Sequence, residues 1–313
     1  MTAGDGEQAR GSGVRLMRAL ALFSVVLGIL ATGVGMGRSA GAWAIVRAPN
    51  YDQPPRPMVQ PPTDVTRALR AEVGPPSALL EAWVLDPDSP PRGTVLVLHG
   101  VRDDKRSMID VGRALRDRGM RAVLVDLRGH GGSSGQFLTY GVLESQDLSH
   151  LLDHLDALNM LAGPVSVLGA SYGGAVGIQL SARDARVRAV ASLSTFASLR
   201  EVVPPQARVE LSSVGWLLPD RVIDLIVDDA GELGGFSPDA ADTRVAITRT
   251  GARVLLVHGR EDRRVPYEHA RALLDSCPVG QCALVSVSGD HAAVLGSPEA
   301  HEAALDFLSR WGT

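Results

Sequence analysis

From about residue 79 onward the sequence predicts an α/β fold, a mostly parallel sheet with helices on both faces. Three observations predict it. Short apolar runs alternate with stretches of helical period. Most of those runs are free of charge along their length, as strands covered on both faces are. The composition, 45% hydrophobic and 21% charged in 313 residues, suits one large domain with extensions and excludes general disorder. The net charge of -4 gives no sign of a nucleic-acid partner. Lys105 is the sole lysine, and without a dense basic block the arginine-rich positive charge reads as a compositional bias rather than phosphate recognition.

The elements follow in chain order. Residues 1–18 are a short basic segment with Arg10, Arg15 and Arg18. Residues 19–37, ALALFSVVLGILATGVGMG, carry no charged residue, and roughly 20 apolar residues suffice to cross a bilayer. This run is expected to be an N-terminal transmembrane helix, a signal anchor with the arginine-bearing end in the cytoplasm and the rest of the chain outside. Ala42-Trp43-Ala44 offers a cleavage sequence, so secretion after signal-peptide removal is the alternative. Gly33, Gly37 and Gly41 share the spacing of a helix-contact face. Six prolines from Pro49 to Pro62 then mark residues 38–66 as a semi-rigid spacer holding the following domain, residues 67–313, off the membrane.

Within that domain, Leu79–Asp86 and Thr94–Gly100 read as strands joined by a Pro-rich turn. Met108, Val111 and Leu115 set a helical period ending near Gly119. Arg121–Gly129 is a buried-type strand, residues 141–159 an amphipathic helix, Pro164–Ser171 a strand, Tyr172–Arg183 a helix and Val187–Ser194 a strand. The segment 196–250 is less regular. Its apolar stretches VGWLLP and VIDLIV look helical, and it is expected to form a small cap insert over the sheet edge. Strand Arg253–Gly259, helix Tyr267–Ser276, strand Cys282–Ser288 and helix Glu299–Trp311 complete the series. Cys277 and Cys282 are too few for a disulfide scaffold and lack partners for a zinc site. They form a small loop if the domain is exported and remain two thiols if it is cytosolic.

In a parallel sheet, ligands bind at the carboxyl ends of the strands. Those ends carry His99-Gly100-Val101, Asp126 followed by LRGHGGSSG, Gly169-Ala170-Ser171, HGREDRRVP and SGDHAAV. Ser171 thus lies between a strand and a helix, flanked by Gly169 and Gly173, as a nucleophile on a strained turn requires. A serine hydroxyl needs a base, and His291 follows the last strand in a Gly-Asp-His turn. The base needs an orienting acid, and Asp262 follows the preceding strand in a loop closed by Val265-Pro266. The order Ser171, Asp262, His291 matches the nucleophile-elbow pattern.

These stretches resemble the α/β-hydrolase superfamily: LHG (98–100), DLRGHGGSSG (126–135), GASYGG (169–174), HGREDRRVP (258–266) and GDH (289–291). The prolyl-oligopeptidase-like and monoacylglycerol-lipase-like serine hydrolases are the branch it resembles most. The resemblance spans residues 79–313 and implies the α/β-hydrolase fold, no metal or organic cofactor, and an oxyanion hole. The hole's implied donors are the backbone N–H groups of Val101 and Tyr172. Val101 stands where many relatives carry a bulky aromatic residue.

Other residues compete for these roles. His99 and His258 begin HG pairs at strand ends, where packing and backbone hydrogen bonding are the expected jobs; His130 in the glycine loop is expected to be structural. His150 and His154 are spaced to bind zinc, but a solvated helix face without a metalloprotease glutamate is the expectation. His269 and His301 are expected on helix surfaces. Glu261 and Asp290 rival Asp262 as the acid, yet Asp290 is too close in sequence to His291 to orient it. Neither a P-loop nor a Rossmann glycine pattern occurs.

The function expected is hydrolysis of a carboxylester or of a related acyl bond through an acyl-enzyme on Ser171, and a cap is consistent with small lipophilic esters. A serine peptidase or thioesterase would use the same residues. A transferase passing the acyl group to another acceptor, or a non-catalytic binding module, are the readings of other classes. Trp216, Leu217 and Leu218 are candidates for an apolar acyl site.

Overall fold

The computed structural model describes residues 35–53, 57–210 and 218–312. Eight strands form one sheet: β1 (Arg67–Val73), β2 (Ala78–Leu85), β3 (Thr94–Leu98), β4 (Arg121–Val125), β5 (Val165–Ala170), β6 (Val187–Leu193), β7 (Arg253–Gly259) and β8 (Cys282–Val287). Their order is β1-β2-β4-β3-β5-β6-β7-β8. β1 and β2 enter antiparallel, and β3 through β8 run parallel. Every residue of β3 and β5 is buried, which is why their sequences show no polar alternation.

Side chains alternate between the two faces. On one face, Leu96 and Leu98 of β3 join the leucines of α3 (Val142–Ala157) and the apolar side of α4 (Tyr172–Arg183). On the other, Val95 and Val97 join α2 (Ile109–Asp117) and α10 (Pro298–Trp311) through Leu115 and Leu308. The cap insert is helical, with α5 (Leu199–Glu210), α6 (Asp220–Gly234) and a short α7 (Thr243–Ile247). Trp216 and Leu217 lie outside the described residues. Leu218 is half-buried and packs against the main core. The remaining helices are α8 (Glu268–Ser276) and α9 (His291–Leu295).

Three features differ from the sequence reading. β1 was not anticipated: Arg67 and Arg70 interrupt its apolar residues, and only its pairing with β2 brings Leu69, Ala71 and Val73 inward. His269 is buried rather than on a helix surface, because its Nδ1 accepts the Ala197 N–H at 3.2 Å. The third is the packing of residues 38–51 against the domain. Among the described residues, no helix is long and apolar enough to cross a membrane. The apolar run 19–37 lies outside the described residues except for its last three, which begin helix α1 over residues 35–46.

Residues 38–51 are not a free spacer. Arg38 makes a two-pronged ion pair with Asp229 of α6, at 2.6 and 2.9 Å. Ala42, Val46 and Ala48 are buried, and Val46 packs with Ala230 of the cap. The chain then crosses the glycine loop 126–135: the Asn50 amide donates to the Gly131 and Ser133 carbonyls, and Leu138 N–H to the Val46 carbonyl. Trp43, Tyr51 and Phe137 close an aromatic cluster over this crossing. The physical reason is that glycine-loop carbonyls need donors and the small side chains let the strap approach. Further on, Asp64 ties the segment to α2 through Arg113 and Arg116. Cys277 and Cys282, which join α8 to β8, form a disulfide with a Cα separation of 6.1 Å.

Candidate active site

Ser171 sits between the end of β5 and the start of α4. Its backbone takes φ 50° and ψ -109°, a conformation L-residues avoid and one that projects the side chain off the sheet edge. Four contacts hold the strain. Ser171 N–H donates to the Leu193 carbonyl at 2.7 Å, and the Ser171 carbonyl accepts from Thr195 Oγ1 at 2.9 Å and from the Gly174 and Ala175 N–H groups of α4. Ser192 Oγ in turn donates to Thr195 Oγ1 at 2.6 Å. Gly173 is required by close approach: a Cβ there would lie 2.6 Å from the Leu98 and His99 carbonyl oxygens.

His291 opens α9 after β8, and Asp262 lies in the loop after β7. The sheet order places β5, β6, β7 and β8 side by side, so three loops far apart in sequence converge. His291 Nε2 lies 3.1 Å from Ser171 Oγ, and His291 Nδ1 lies 2.7 Å from Asp262 Oδ2. The Asp262 side chain is fully buried and its other oxygen accepts N–H bonds from Arg264 at 3.0 Å and Val265 at 2.8 Å. Burial pushes the Asp262 carboxyl up, but the His291 hydrogen bond and the Val265 N–H outweigh it and hold the group below the ordinary aspartate value. With Asp262 ionised, Nδ1 carries the proton and Nε2 faces Ser171 as an acceptor.

The sequence-expected donors occupy the same corner. Tyr172 is the first residue of α4, so its N–H has no partner one turn earlier. Gly100, just before Val101, is close to the nucleophile: a Cβ built on it would lie 4.0 Å from Ser171 Cβ. Among the described residues, no hydrogen bond engages the Val101 N–H.

The rival residues go elsewhere. His99 is fully buried, with Nδ1 bonded to the Gly100 carbonyl at 2.7 Å and Nε2 accepting the Leu127 N–H. His258 donates Nε2–H to the Val265 carbonyl at 2.8 Å, which props the Asp262 loop from behind. Glu261 accepts the Gly289 N–H at 2.6 Å and so ties the acid loop to the histidine loop. Asp290 caps α9 through the Ala293 N–H. His150 accepts the Gly74 N–H, well away from Ser171 on α3.

Sequence reasoning missed two groups. Ser192 and Thr195 brace the elbow, and nothing in their local sequence marks them. The second is a buried ionic cluster in which Lys105 Nζ reaches Glu81 at 2.8 Å and Asp126 at 2.5 Å, while its N–H donates to Asp126 Oδ1. Arg70 completes the charge balance on Glu81 at 2.9 Å. The signal available was the solitary lysine beside the HG pair, read only as composition.

Known proteins support this site's setting. A family model described as serine aminopeptidase, S33, matches residues 89–240, which include Ser171. Monoacylglycerol lipase of Mycolicibacterium smegmatis is 24% identical over 275 residues, covering 77% of this chain and 94% of that one. The uncharacterized protein YqkD of Bacillus subtilis is 23% identical over 203 residues, and this chain spans 65% of its length. Among solved structures, the Pyrococcus furiosus esterase Pf2001 superposes with a TM-score of 0.64 at 20% identity, covering 84% of this chain and 98% of the esterase. The sheet order, the strained serine between β5 and α4 and these likenesses lead to one conclusion: the chain belongs to the α/β-hydrolase superfamily.

Proposed function

We propose that the protein is a serine hydrolase cleaving a carboxylester through an acyl-enzyme on Ser171. The observation that carries this reading is the continuous hydrogen-bonded chain from Ser171 Oγ through His291 to Asp262. His291 Nε2 takes the Ser171 proton as Oγ attacks the ester carbonyl carbon. The resulting oxyanion is held by the Val101 and Tyr172 N–H groups. The imidazolium that forms is stabilised by the Asp262 carboxylate, then gives its proton to the departing alkoxide. Water, deprotonated by His291 in the same way, attacks the acyl-enzyme and releases the acid and free Ser171.

Esters are favoured because the relatives named lipase and esterase align along most of their own length. A peptidase reading of the same site is supported by the description of the matching family model. Labelling by a fluorophosphonate probe, with Ser171→Ala as control, tests the nucleophile; a panel of p-nitrophenyl esters, aminoacyl anilides and thioesters then assigns the bond. A well-folded wild type that refuses the probe would overturn the reading.

The same proposal includes an uncleaved anchor over residues 19–37 with the domain outside the cytoplasm. Its support is the uncharged run itself, the structural use of residues 38–48 beyond it, and the Cys277–Cys282 disulfide, which suits an oxidising compartment. Carbonate extraction of membranes tests it: release of full-length protein into the soluble fraction would reject the anchor.

A further inference from the structure

The loop that carries Val101 is pinned by a buried imidazole no catalytic step uses. His130 is fully buried in the glycine loop. Its Nδ1 lies 2.9 Å from the Arg128 carbonyl, an oxygen that can only accept, so Nδ1 carries the hydrogen. Nε2 is therefore a bare acceptor, and it faces the Arg102 main-chain N–H at 3.1 Å. Arg102 takes φ 61°, a left-handed conformation unfavourable for an arginine and sustained only where neighbours hold it. Its guanidinium reaches across to the Ala44 carbonyl at 2.8 Å. The His130 ring also lies 4.8 Å from the ring of His99 and 5.9 Å from that of Tyr172. It thus touches both segments expected to supply oxyanion donors.

We propose that His130 is a positioning residue for the oxyanion hole: by accepting the Arg102 N–H it fixes the turn after Gly100 and so aims the Val101 N–H at the developing oxyanion. The proposal rests on the serine-hydrolase reading above. Burial supports it by pushing the ring's pKa down to about 4, so that Nε2 is free to accept at neutral pH. Lys105, bonded to Asp126 at the far end of the same loop, leaves residues 101–104 suspended between two buried anchors. The Gly100 carbonyl on one side of Val101 accepts from His99 Nδ1 at 2.7 Å and from the Asp103 N–H at 3.3 Å, and His130 holds the peptide on the other side.

The test separates the two ring nitrogens. His130→Gln places an amide oxygen near the Nε2 position and keeps an acceptor for Arg102. His130→Asn reaches only the Nδ1 position and keeps the Arg128 contact alone. With p-nitrophenyl butyrate, and active sites counted by fluorophosphonate titration, the Asn variant should lose kcat on the order of tenfold or more with KM within about twofold; a misaimed donor forfeits part of what a deleted one costs. The Gln variant should stay within about threefold of wild type, although both lower the Tm. Equal kcat losses in the two variants, or a loss confined to KM, would overturn the proposal while leaving the hydrolase reading intact. Wild type that neither hydrolyses the ester nor takes the probe would overturn both. Should the variants not fold, amide exchange of wild type decides: the proposal requires a protected Arg102 N–H, and exchange there at the rate of an open loop would reject it.

Discussion

Thr195 Oγ1 donates a hydrogen bond to the main-chain carbonyl of Ser171 at 2.9 Å, so the end of β6 braces the turn that leaves β5. Thr195→Val keeps the shape and removes the donor, leaving the carbonyl one partner short and Ser192 Oγ without its acceptor. The expected cost is about 1–3 kcal/mol of stability. A severalfold fall in kcat should accompany it, because the strained Ser171 backbone loses a restraint. Guanidinium unfolding and ester turnover measured together check this; unchanged values of both would show the brace to be idle.

Asp262→Asn should keep the fold and remove the carboxylate that sets the His291 tautomer. An amide can point its NH₂ at Nδ1, which makes Nδ1 the acceptor and leaves the ring's hydrogen on Nε2, facing Ser171. The expected loss in kcat is about 10³- to 10⁴-fold, with KM little changed. Activity within tenfold of wild type would move the acid's role to another group.

The strap makes a prediction by truncation. A chain beginning at residue 35 keeps the whole described strap and serves as the reference. One beginning at residue 52 loses the burial of Ala42, Val46 and Ala48 and both Asn50 bonds. Apolar burial and hydrogen bonds together put the loss at about 3 kcal/mol or more. The Arg38–Asp229 pair, about a third exposed, adds little to that figure. Equal midpoints for the two truncations would mean the strap contributes no net stability.

Stability should fall on mild acidification. Burial pushes His130 and His269 down to about 4, so both rings stay neutral in the fold while the unfolded chain protonates near 6.5. Between those values the unfolded state binds more protons, and stability therefore rises with pH from about 4 to about 6.5 and is complete above it. His99 and His258, also lowered by burial, act in the same direction. Unfolding free energies from urea titrations should drop across this range by on the order of a few kcal/mol in total. His269→Gln should flatten the slope; a profile already flat in wild type would contradict the neutral buried rings.

The central sheet was legible because β3 to β7 are buried on both faces and their sequences are correspondingly apolar. β1 was not: as an edge strand it carries Arg67 and Arg70 toward solvent and the Glu81 carboxylate, and pairing rather than pattern makes it a strand. Residues 38–51 misled for a related reason. Prolines and small residues describe a spacer well, yet small residues are also what a glycine loop accepts in close contact. His269 looked exposed because its helix alone does not reveal that Ala197 lies across it.

The sequence by itself determined the alternation of elements and the strand ends at which Ser171, Asp262 and His291 stand, since local periodicity and turn chemistry are short-range properties of the chain. Only the tertiary structure decided what holds those residues in place: the Ser192–Thr195 brace, the Lys105 cluster, the His130–Arg102 contact and the strap. Each depends on hydrogen bonds or ion pairs that reach residues far apart in the sequence. Such contacts depend on distances of a few ångströms across the sheet, which one-dimensional spacing does not encode.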